Sequence, residues 1–570
     1  MAYGEGIDMQ FETGGEAAAH ALLAQGVDTI FTLSGGHLNP IYLHLENTKL
    51  RFFDTRHEQA AVWMAEAYGR LTRRPGVAMV TAGPGFTNAL TAIASAAMAA
   101  TPLVLISGCV GVRMIEKLDL QDMRQAPVIE PMVKKAFVCH HAERIPEFID
   151  LAFREASSGR PGPVYLELPV DVLTASPGRD VAVPITRVES QVVDRAKARQ
   201  LMDLLVQAEK PVLVAGSGAW YADAGEELCR FITATGVPVF TAANGRGIVS
   251  DTDPLCFGGV LAIRPGAGLH AGRNADLVIL LGSRLNLFCL FGDTYSADAT
   301  MVQVDIKAEE IGRNRPIDLP IVSDVRALVC ELNELVERSG NADVLRERFV
   351  PWIEELNRAG DESLAGAESN WRSSSVPIHP MRLVKEVDEF MDREDDIVVT
   401  DGGDATTWIG MTRTMRRAGH YLDYGLFGSL GGGLPYANAA KLLYPEKRVL
   451  LFTGDGSLGF NFMEFERAIT KGLPIVVIIS NDLGWGMIRH SQVVKLGRAI
   501  EPVTELGRID YHRFVESMGG VGILVEDPGE IRPALEKAFA SGQTACINVM
   551  TDPSTISPGS VALANVGAYQ

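Results

Sequence analysis

The 570-residue chain has no apolar run that approaches the length of a membrane span. The nearest candidate, "ALTAIASAAMAATPLVLISG", is broken by Thr101-Pro102. Basic residues are scarce: 52 Lys and Arg against 71 Asp and Glu give a formal net charge of -19. That balance offers no electrostatic reason to bind nucleic acid or an anionic membrane. Cysteine is sparse and scattered over seven positions (109, 139, 229, 256, 289, 330, 546), with no close-spaced pair to ligate a metal. An odd, dispersed set predicts reduced thiols rather than a disulfide framework. The first residues carry neither a basic cluster nor an apolar core of a secretion signal. These absences predict a cytoplasmic protein without membrane or nucleic-acid partners.

What is present is a globular composition, 47% hydrophobic, long enough for about three domains. Residues 1–185 alternate short apolar runs (DTIFTL, GVAMVTA, PLVLIS, PVYLELP) with Ala-rich helical stretches. A polar connector, "TASPGRDVAVPITRVESQVVD", leads to a second block over 190–345 with strands PVLVAGS, VPVFTA, ADLVILLGS and ATMVQVDI. A charged linker, "RAGDESLAGAESNWRSSSVPIHP", precedes a third block over 375–555, with strands DDIVVTD, RVLLFTG and PIVVIIS. Residues 556–570 form a tail. Regular alternation predicts an α/β protein of three doubly wound parallel-sheet domains.

Shifting the chain by about 372 positions lays "GVAMVTAGPGFTNALTAIASAAMAATPLVLIS" over "RVLLFTGDGSLGFNFMEFERAITKGLPIVVII". Thr81 falls on Thr453 and Pro102 on Pro474, in the same strand–turn–helix–strand order. The shared register points to a duplicated domain. Gly83 stands where the later copy has Asp455, so only that copy carries the acid.

Asp455 and Asp482 each close a buried apolar run, where ligands bind in parallel sheets. Gly454 and Gly456 permit close backbone approach, and the following helix offers N–H groups to an anion. Two hard carboxylate oxygens suit Mg²⁺, which completes its shell with phosphate and water. A cation bridging the acids to a diphosphate explains acid placed in an anion-attracting turn.

These residues resemble the signature of thiamine diphosphate enzymes, a Gly-Asp-Gly followed about 27 residues later by an Asn pair. The likeness covers nearly the whole chain, in the order pyrimidine domain, middle domain, diphosphate domain. "FFDTRHEQAAVWMAEAYGRL" looks like the helix whose glutamate touches the pyrimidine ring, and "VTAGPGFTNA" like the turn beneath it. "YGLFGSLGGGLPYANAA" looks like the loop that holds the cofactor bent. The motifs are most similar to benzaldehyde lyase and 2-hydroxyacyl-CoA lyase, with acetolactate synthase more distant.

The resemblance implies thiamine diphosphate and Mg²⁺ as cofactors and assigns roles residue by residue. Glu58 would sit against the pyrimidine N1′ as a shielded acid suited to proton traffic. Pro84 and Asn88 belong to the turn beneath the ring. Gly428 would accept from the pyrimidine amino group, and Leu430 would wedge between the rings. Gly403, Asp404, Gly454, Gly456, Ser457, Trp485, Gly486 and Met487 would surround the cofactor. Metal ligands would be Asp455, Asp482 and the carbonyl of Gly484. Asp482 departs from the family's usual Asn; the added charge would either tighten Mg²⁺ or discourage the phosphate.

For the substrate pocket, the resemblance implies His37 as a proton-exchanging group, Gln121 as a hydrogen-bond partner of a substrate carbonyl, and Tyr424 in place of a second histidine. Met487 stands where benzaldehyde lyase has a small residue, which would narrow the pocket or change its shape, while His490 and Gln492 lie just beyond. Middle blocks of relatives bind FAD, ADP or nothing. "LVAGSGAWYADAG" lacks full dinucleotide spacing, so FAD or ADP is not favoured there. The tail has no Lys or Arg to meet CoA phosphates, favouring a small carbonyl substrate. The expected activity is a lyase or carboligase on 2-hydroxy ketones or 2-hydroxyacyl compounds. Its alternatives are an acetolactate synthase-like enzyme, a 2-hydroxyacyl-CoA lyase and a non-catalytic relative. Family architecture further implies a homodimer with sites at its interface, paired into a homotetramer.

Overall fold

A computed structural model describes residues 8–188, 193–260 and 262–565. The first seven residues of the first block, the end of the polar connector and the last five tail residues lie outside them. Three six-stranded sheets form the framework, all with parallel pairing. The first contains β1 (Thr29–Leu33), β2 (Arg51–Asp54), β3 (Gly76–Val80), β4 (Leu103–Cys109), β5 (Lys135–Val138) and β6 (Pro163–Pro169), ordered β2-β1-β3-β4-β6-β5. The second contains β7 (Pro211–Ala215), β8 (Val239–Thr241), β9 (Cys256–Gly259), β10 (Leu277–Leu281), β11 (Thr300–Asp305) and β12 (Leu319–Val322), ordered β9-β8-β7-β10-β11-β12. The third contains β13 (Ile397–Asp401), β14 (Tyr421–Leu422), β15 (Val449–Gly454), β16 (Val476–Asn481), β17 (Val521–Val525) and β18 (Ala545–Met550), ordered β14-β13-β15-β16-β18-β17.

The first and third sheets share one permutation, which the duplicated sequence register predicts. The middle sheet instead has the dinucleotide-fold order. Central strands such as β3, β4 and β15 are buried along nearly their whole length, so they read as continuous apolar runs. Edge strands such as β2, β5 and β17 are half exposed, and their weaker patterns hid them in the sequence.

The charged linker is shorter than expected. Residues Ala342–Trp371 form one helix, which absorbs most of it. Its Ala, Glu and Arg residues are good helix formers, and Phe349, Trp352 and Leu356 bury one stripe of it.

Two compact units emerge from packing. One comprises Met1–Glu189, Tyr424–Pro445 and Phe460–Leu473; the other comprises Ser190–Asp423, Glu446–Gly459 and Pro474–Gln570. The helices that position the site are α1 (Glu58–Thr72), α2 (Pro84–Ala99), α3 (Gln125–Ile129), α4 (Gly403–Thr412), α5 (Gly433–Leu443), α6 (Glu464–Thr470), α7 (Gly486–Leu496) and α8 (Pro558–Asn565). Within the first unit, α1 packs on α5, its counterpart under the repeat shift. Trp63 meets Tyr436 edge-on at 5.5 Å, and the Trp63 ring lies against Gly432. No helix of the described residues is long and apolar enough to cross a membrane.

Candidate active site

In the first unit, Glu58 opens α1 beyond the carboxyl end of β2, where acid is favoured by the helix dipole. It is 8% exposed, and its Oε2 accepts from Asn88 Nδ2 at 2.9 Å. Asn88 and Pro84 lie on the first turns of α2, which Gly83 caps with φ +60°. A Cβ at Gly83 would meet Gln121, whose own φ of +68° turns it back toward the glycine. His37 follows β1; its Nδ1 lies 3.0 Å from Thr81 Oγ1. Burial lowers its pKa, with Asp119 opposing, so the imidazole is neutral at pH 7. A Cβ on Gly108 would fall 2.4 Å from His37 Cβ, so this glycine makes room for the ring. Glu58, Asn88, Gly83, Gln121 and His37 thus all lie at the carboxyl end of the first sheet.

Tyr424, Gly428 and Leu430 occupy the loop before α5 in the same unit. Tyr424 and Leu430 are half-buried and Gly428 is exposed. Gly425, Gly428 and Gly431 all have positive φ, so this bend needs glycine. Asn461 donates to the Gly431 carbonyl at 2.7 Å and pins the bend.

In the second unit, β15 ends in a single helical turn, Asp455–Leu458. Asp455 Oδ1 accepts from the Gly456 N–H at 3.0 Å, and Tyr511 donates to its backbone carbonyl at 3.2 Å. Gly456 has a steric reason: a Cβ there would lie 2.7 Å from the Trp485 ring. A Cβ on Gly403 would strike Met487, and one on Gly486 would fall 2.2 Å from Asp482 Oδ2. The glycine-rich turns after β13, β15 and β16 therefore converge on the two acids. Ser457 turns inward, with its Oγ 2.8 Å from Thr453 Oγ1.

Burial, then the negative charge of Asp482, raises the Asp455 pKa to about 8. Asp482 is raised as well, by burial and by Asp404, with Arg489 opposing. Two buried like charges call for a cation between them. The donor set is all oxygen and holds only two carboxylates; no group of three or more potential ligand side chains occurs among the described residues. Such a set fits Mg²⁺, which keeps phosphate and water in its shell, better than a fully caged metal.

Two contacts were invisible in the sequence. Arg489 donates to Asp482 Oδ2 at 3.0 Å and to its carbonyl at 2.8 Å, compensating the charge that replaces the usual Asn. The carboxylate of Asp404 is shared by three side chains. Ser557 and Ser560 each donate to its Oδ1 at 2.6 Å, and His490 Nδ1 lies 2.6 Å from Oδ2. His490 Nε2 also reaches the Pro553 carbonyl at 2.9 Å. Burial disfavours charge on His490, but bonding to Asp404 outweighs it and raises its pKa. Asp404 thereby fastens the C-terminal segment to α4 and α7. No motif announces this, because the partners lie more than 150 residues apart.

In the middle domain, Gly216 and Gly218 serve close packing: a Cβ on either would collide with Gly282.

Two glycine-rich clusters, one around Glu58 and one around Asp455 and Asp482, each stand at the carboxyl end of a parallel sheet, the place where α/β enzymes bind ligands. Comparison with known families agrees. Models of the thiamine pyrophosphate enzyme N-terminal TPP binding domain, central domain and C-terminal TPP binding domain match residues 12–128, 198–332 and 401–549. The chain belongs to the thiamine pyrophosphate enzymes. It is 33% identical over 551 residues to an acetolactate synthase large subunit of Mycobacterium tuberculosis, covering 95% of this chain and 96% of that one. It is 30% identical to oxalyl-CoA decarboxylase of Escherichia coli, covering 96% of each chain. Identity to human 2-hydroxyacyl-CoA lyase 2 is 29%, over 96% of this chain and 92% of the relative. Among these three, the synthase is the more similar, reversing the order suggested by the motifs. These relatives are named as a synthase, a decarboxylase and a lyase, all within one family of thiamine pyrophosphate enzymes.

Proposed function

We propose that the chain is a Mg²⁺-requiring carbon–carbon lyase and carboligase acting on 2-hydroxy ketones or 2-hydroxyacyl compounds. Neutral His37 at the mouth of the first sheet carries this reading. Cleavage of a 2-hydroxy carbonyl compound releases a hydroxyl proton as the C–C bond breaks, and a neutral imidazole can take it. A 2-oxo acid losing CO₂ has no such proton to give up. When bound, thiamine diphosphate supplies the electron sink. Glu58, shielded and held by Asn88, would hold or release a proton at the pyrimidine N1′. Asp455, Asp482 and the Gly484 carbonyl would hold Mg²⁺. Gly403, Gly454, Gly456, Trp485, Gly486 and Met487 would line the diphosphate side, and Leu430 and Gly428 the bend. Gln121 and Tyr424 would face the substrate carbonyl.

Similarity to acetolactate synthase favours a second reading, condensation of 2-oxo acids. A panel of benzoin, acetoin, pyruvate and 2-hydroxyacyl-CoA thioesters separates the two. The first reading expects cleavage of a hydroxy ketone or hydroxyacyl substrate that His37→Ala abolishes; pyruvate turnover indifferent to His37→Ala overturns it.

The enzyme would work as a homodimer, paired into a tetramer, in the cytoplasm. Supporting assembly, Glu58 and the metal acids belong to duplicated domains whose similar faces a two-fold axis can pair. Supporting the compartment, all seven cysteines are unpaired. The close-packed glycines of the middle domain support a structural role rather than FAD or ADP binding. Reassembling inactive Glu58→Gln chains with inactive Asp455→Ala chains should restore about a quarter of wild-type activity, because a mixed dimer keeps one intact site. No recovery from chains shown to exchange would place each site within one chain.

A further inference from the structure

Gln125, the first residue of α3, is 1% exposed and carries the densest side-chain hydrogen-bonding near the first half-site. Its Oε1 accepts from the Gly83 N–H at 2.8 Å. Its Nε2 lies 3.0 Å from the Gly108 carbonyl and 3.0 Å from Tyr165 Oη, with Glu167 Oε2 at 3.3 Å and Ser107 Oγ at 3.4 Å. A backbone N–H can only donate and a backbone carbonyl can only accept, so these partners fix the orientation of the amide. Tyr165 donates to Glu167 at 2.8 Å, leaving its oxygen to accept from Gln125.

Both backbone partners belong to the site. Gly83 caps α2, and its own carbonyl accepts from Thr87 N at 2.9 Å, so its peptide planes set where α2 begins. The first turns of α2 present Asn88 to Glu58. Gly108 is the residue against which His37 Cβ packs. Gln121, on the loop that α3 ends, rests on Gly83. In that loop Glu116, Leu118 and Gln121 take positive φ, and Leu118 is 97% exposed.

We propose that Gln125 is the positioning residue of the first half-site, one amide that ties the Gly83 turn to the Gly108 strand end and so sets the spacing between Glu58, His37 and Gln121. No other residue type fits well. A carboxylate would leave the Gly108 carbonyl without a donor and face Glu167, and an aliphatic side chain would strand a buried N–H and a buried carbonyl. Misplacement of reacting groups by about 1 Å costs roughly a hundredfold in rate, so a distant amide can govern turnover without touching substrate. The proposal rests on the lyase reading for its catalytic consequence but not for its geometry.

The test compares Gln125→Met, which keeps volume, with Gln125→Glu. In cofactor-free protein, hydrogen exchange is followed in peptides spanning 81–88 and, as a control, 29–33. Gln125→Met should raise exchange at least about tenfold in the turn peptide alone, as loss of a local bond predicts. Loaded with thiamine diphosphate and Mg²⁺, it should lose at least about tenfold in kcat with a smaller change in KM. Gln125→Glu should recover at acid pH, where a protonated carboxyl both accepts from Gly83 and donates to Gly108, and fail as pH rises. Wild-type exchange in the turn peptide, or losses in both variants that are equal at every pH and spread through the control peptide, would overturn the assignment. Because exchange is read without cofactor, failure of the lyase reading leaves this measurement decisive.

Discussion

Replacing Asp455 by Asn should stabilise the protein when thiamine diphosphate and Mg²⁺ are absent. In the folded chain the Asp455 proton is held to about pH 8, against an ordinary value of 3.8. Between those values the folded state binds more protons than the unfolded one. Stability is therefore fully present below about pH 4 and is lost as pH rises through about 8. The gap of about four units corresponds to about 6 kcal/mol at pH 8. Asn keeps the shape and can still accept from Gly456, but it carries no charge. Its advantage over the wild type should grow by about 1.4 kcal/mol per pH unit between pH 5 and pH 8. Denaturant melts of cofactor-free protein across that range measure this, with exchange of the 449–458 segment identifying the domain. Adding Mg²⁺ and thiamine diphosphate should reverse the order, because the cation relieves the wild-type repulsion between two carboxylates and meets only one, Asp482, in the variant. A variant no more stable than wild type at pH 8, with no trend in pH, would refute the picture of a buried charge pair waiting for a cation.

Glu58→Gln should lower turnover by at least about a hundredfold, the scale of lost acid–base catalysis, with much less loss of cofactor affinity; unchanged C2 H/D exchange of bound thiamine would count against Glu58. Arg489→Met should cost about 2–3 kcal/mol in cofactor-free stability by leaving Asp482 without its partner, whereas Asp482→Asn should stay active and Asp482→Asn with Arg489→Met should regain most of the loss. Denaturation of all three variants closes that cycle. Gly456→Ala should cost about 1–3 kcal/mol, since the new methyl meets the Trp485 ring at 2.7 Å; a neutral result in melts would mean the ring moves freely. Asp404→Ala should speed hydrogen exchange across residues 552–565 while sparing β13, because it removes the carboxylate that Ser557, Ser560 and His490 share.

The sequence alone determined the three α/β layers, because buried parallel strands need continuous apolar runs and glycine-rich turns, and both are local patterns. It also carried the duplication in its register and singled out Glu58, Asp455 and Asp482 as candidates by their places in such turns. It did not determine short edge strands, whose half-exposed residues give no pattern, or the true extent of the helix ending at Trp371. The tertiary structure alone decided what those site residues touch. Gln125 reaches Gly83 across 42 residues and Ser560 reaches Asp404 across 156. Arg489 meets Asp482 across a turn in which Leu483 takes φ +61°. Local spacing encodes which chemistry a residue can perform; long-range packing decides which charges and amides stand beside it, and no period in the chain records that.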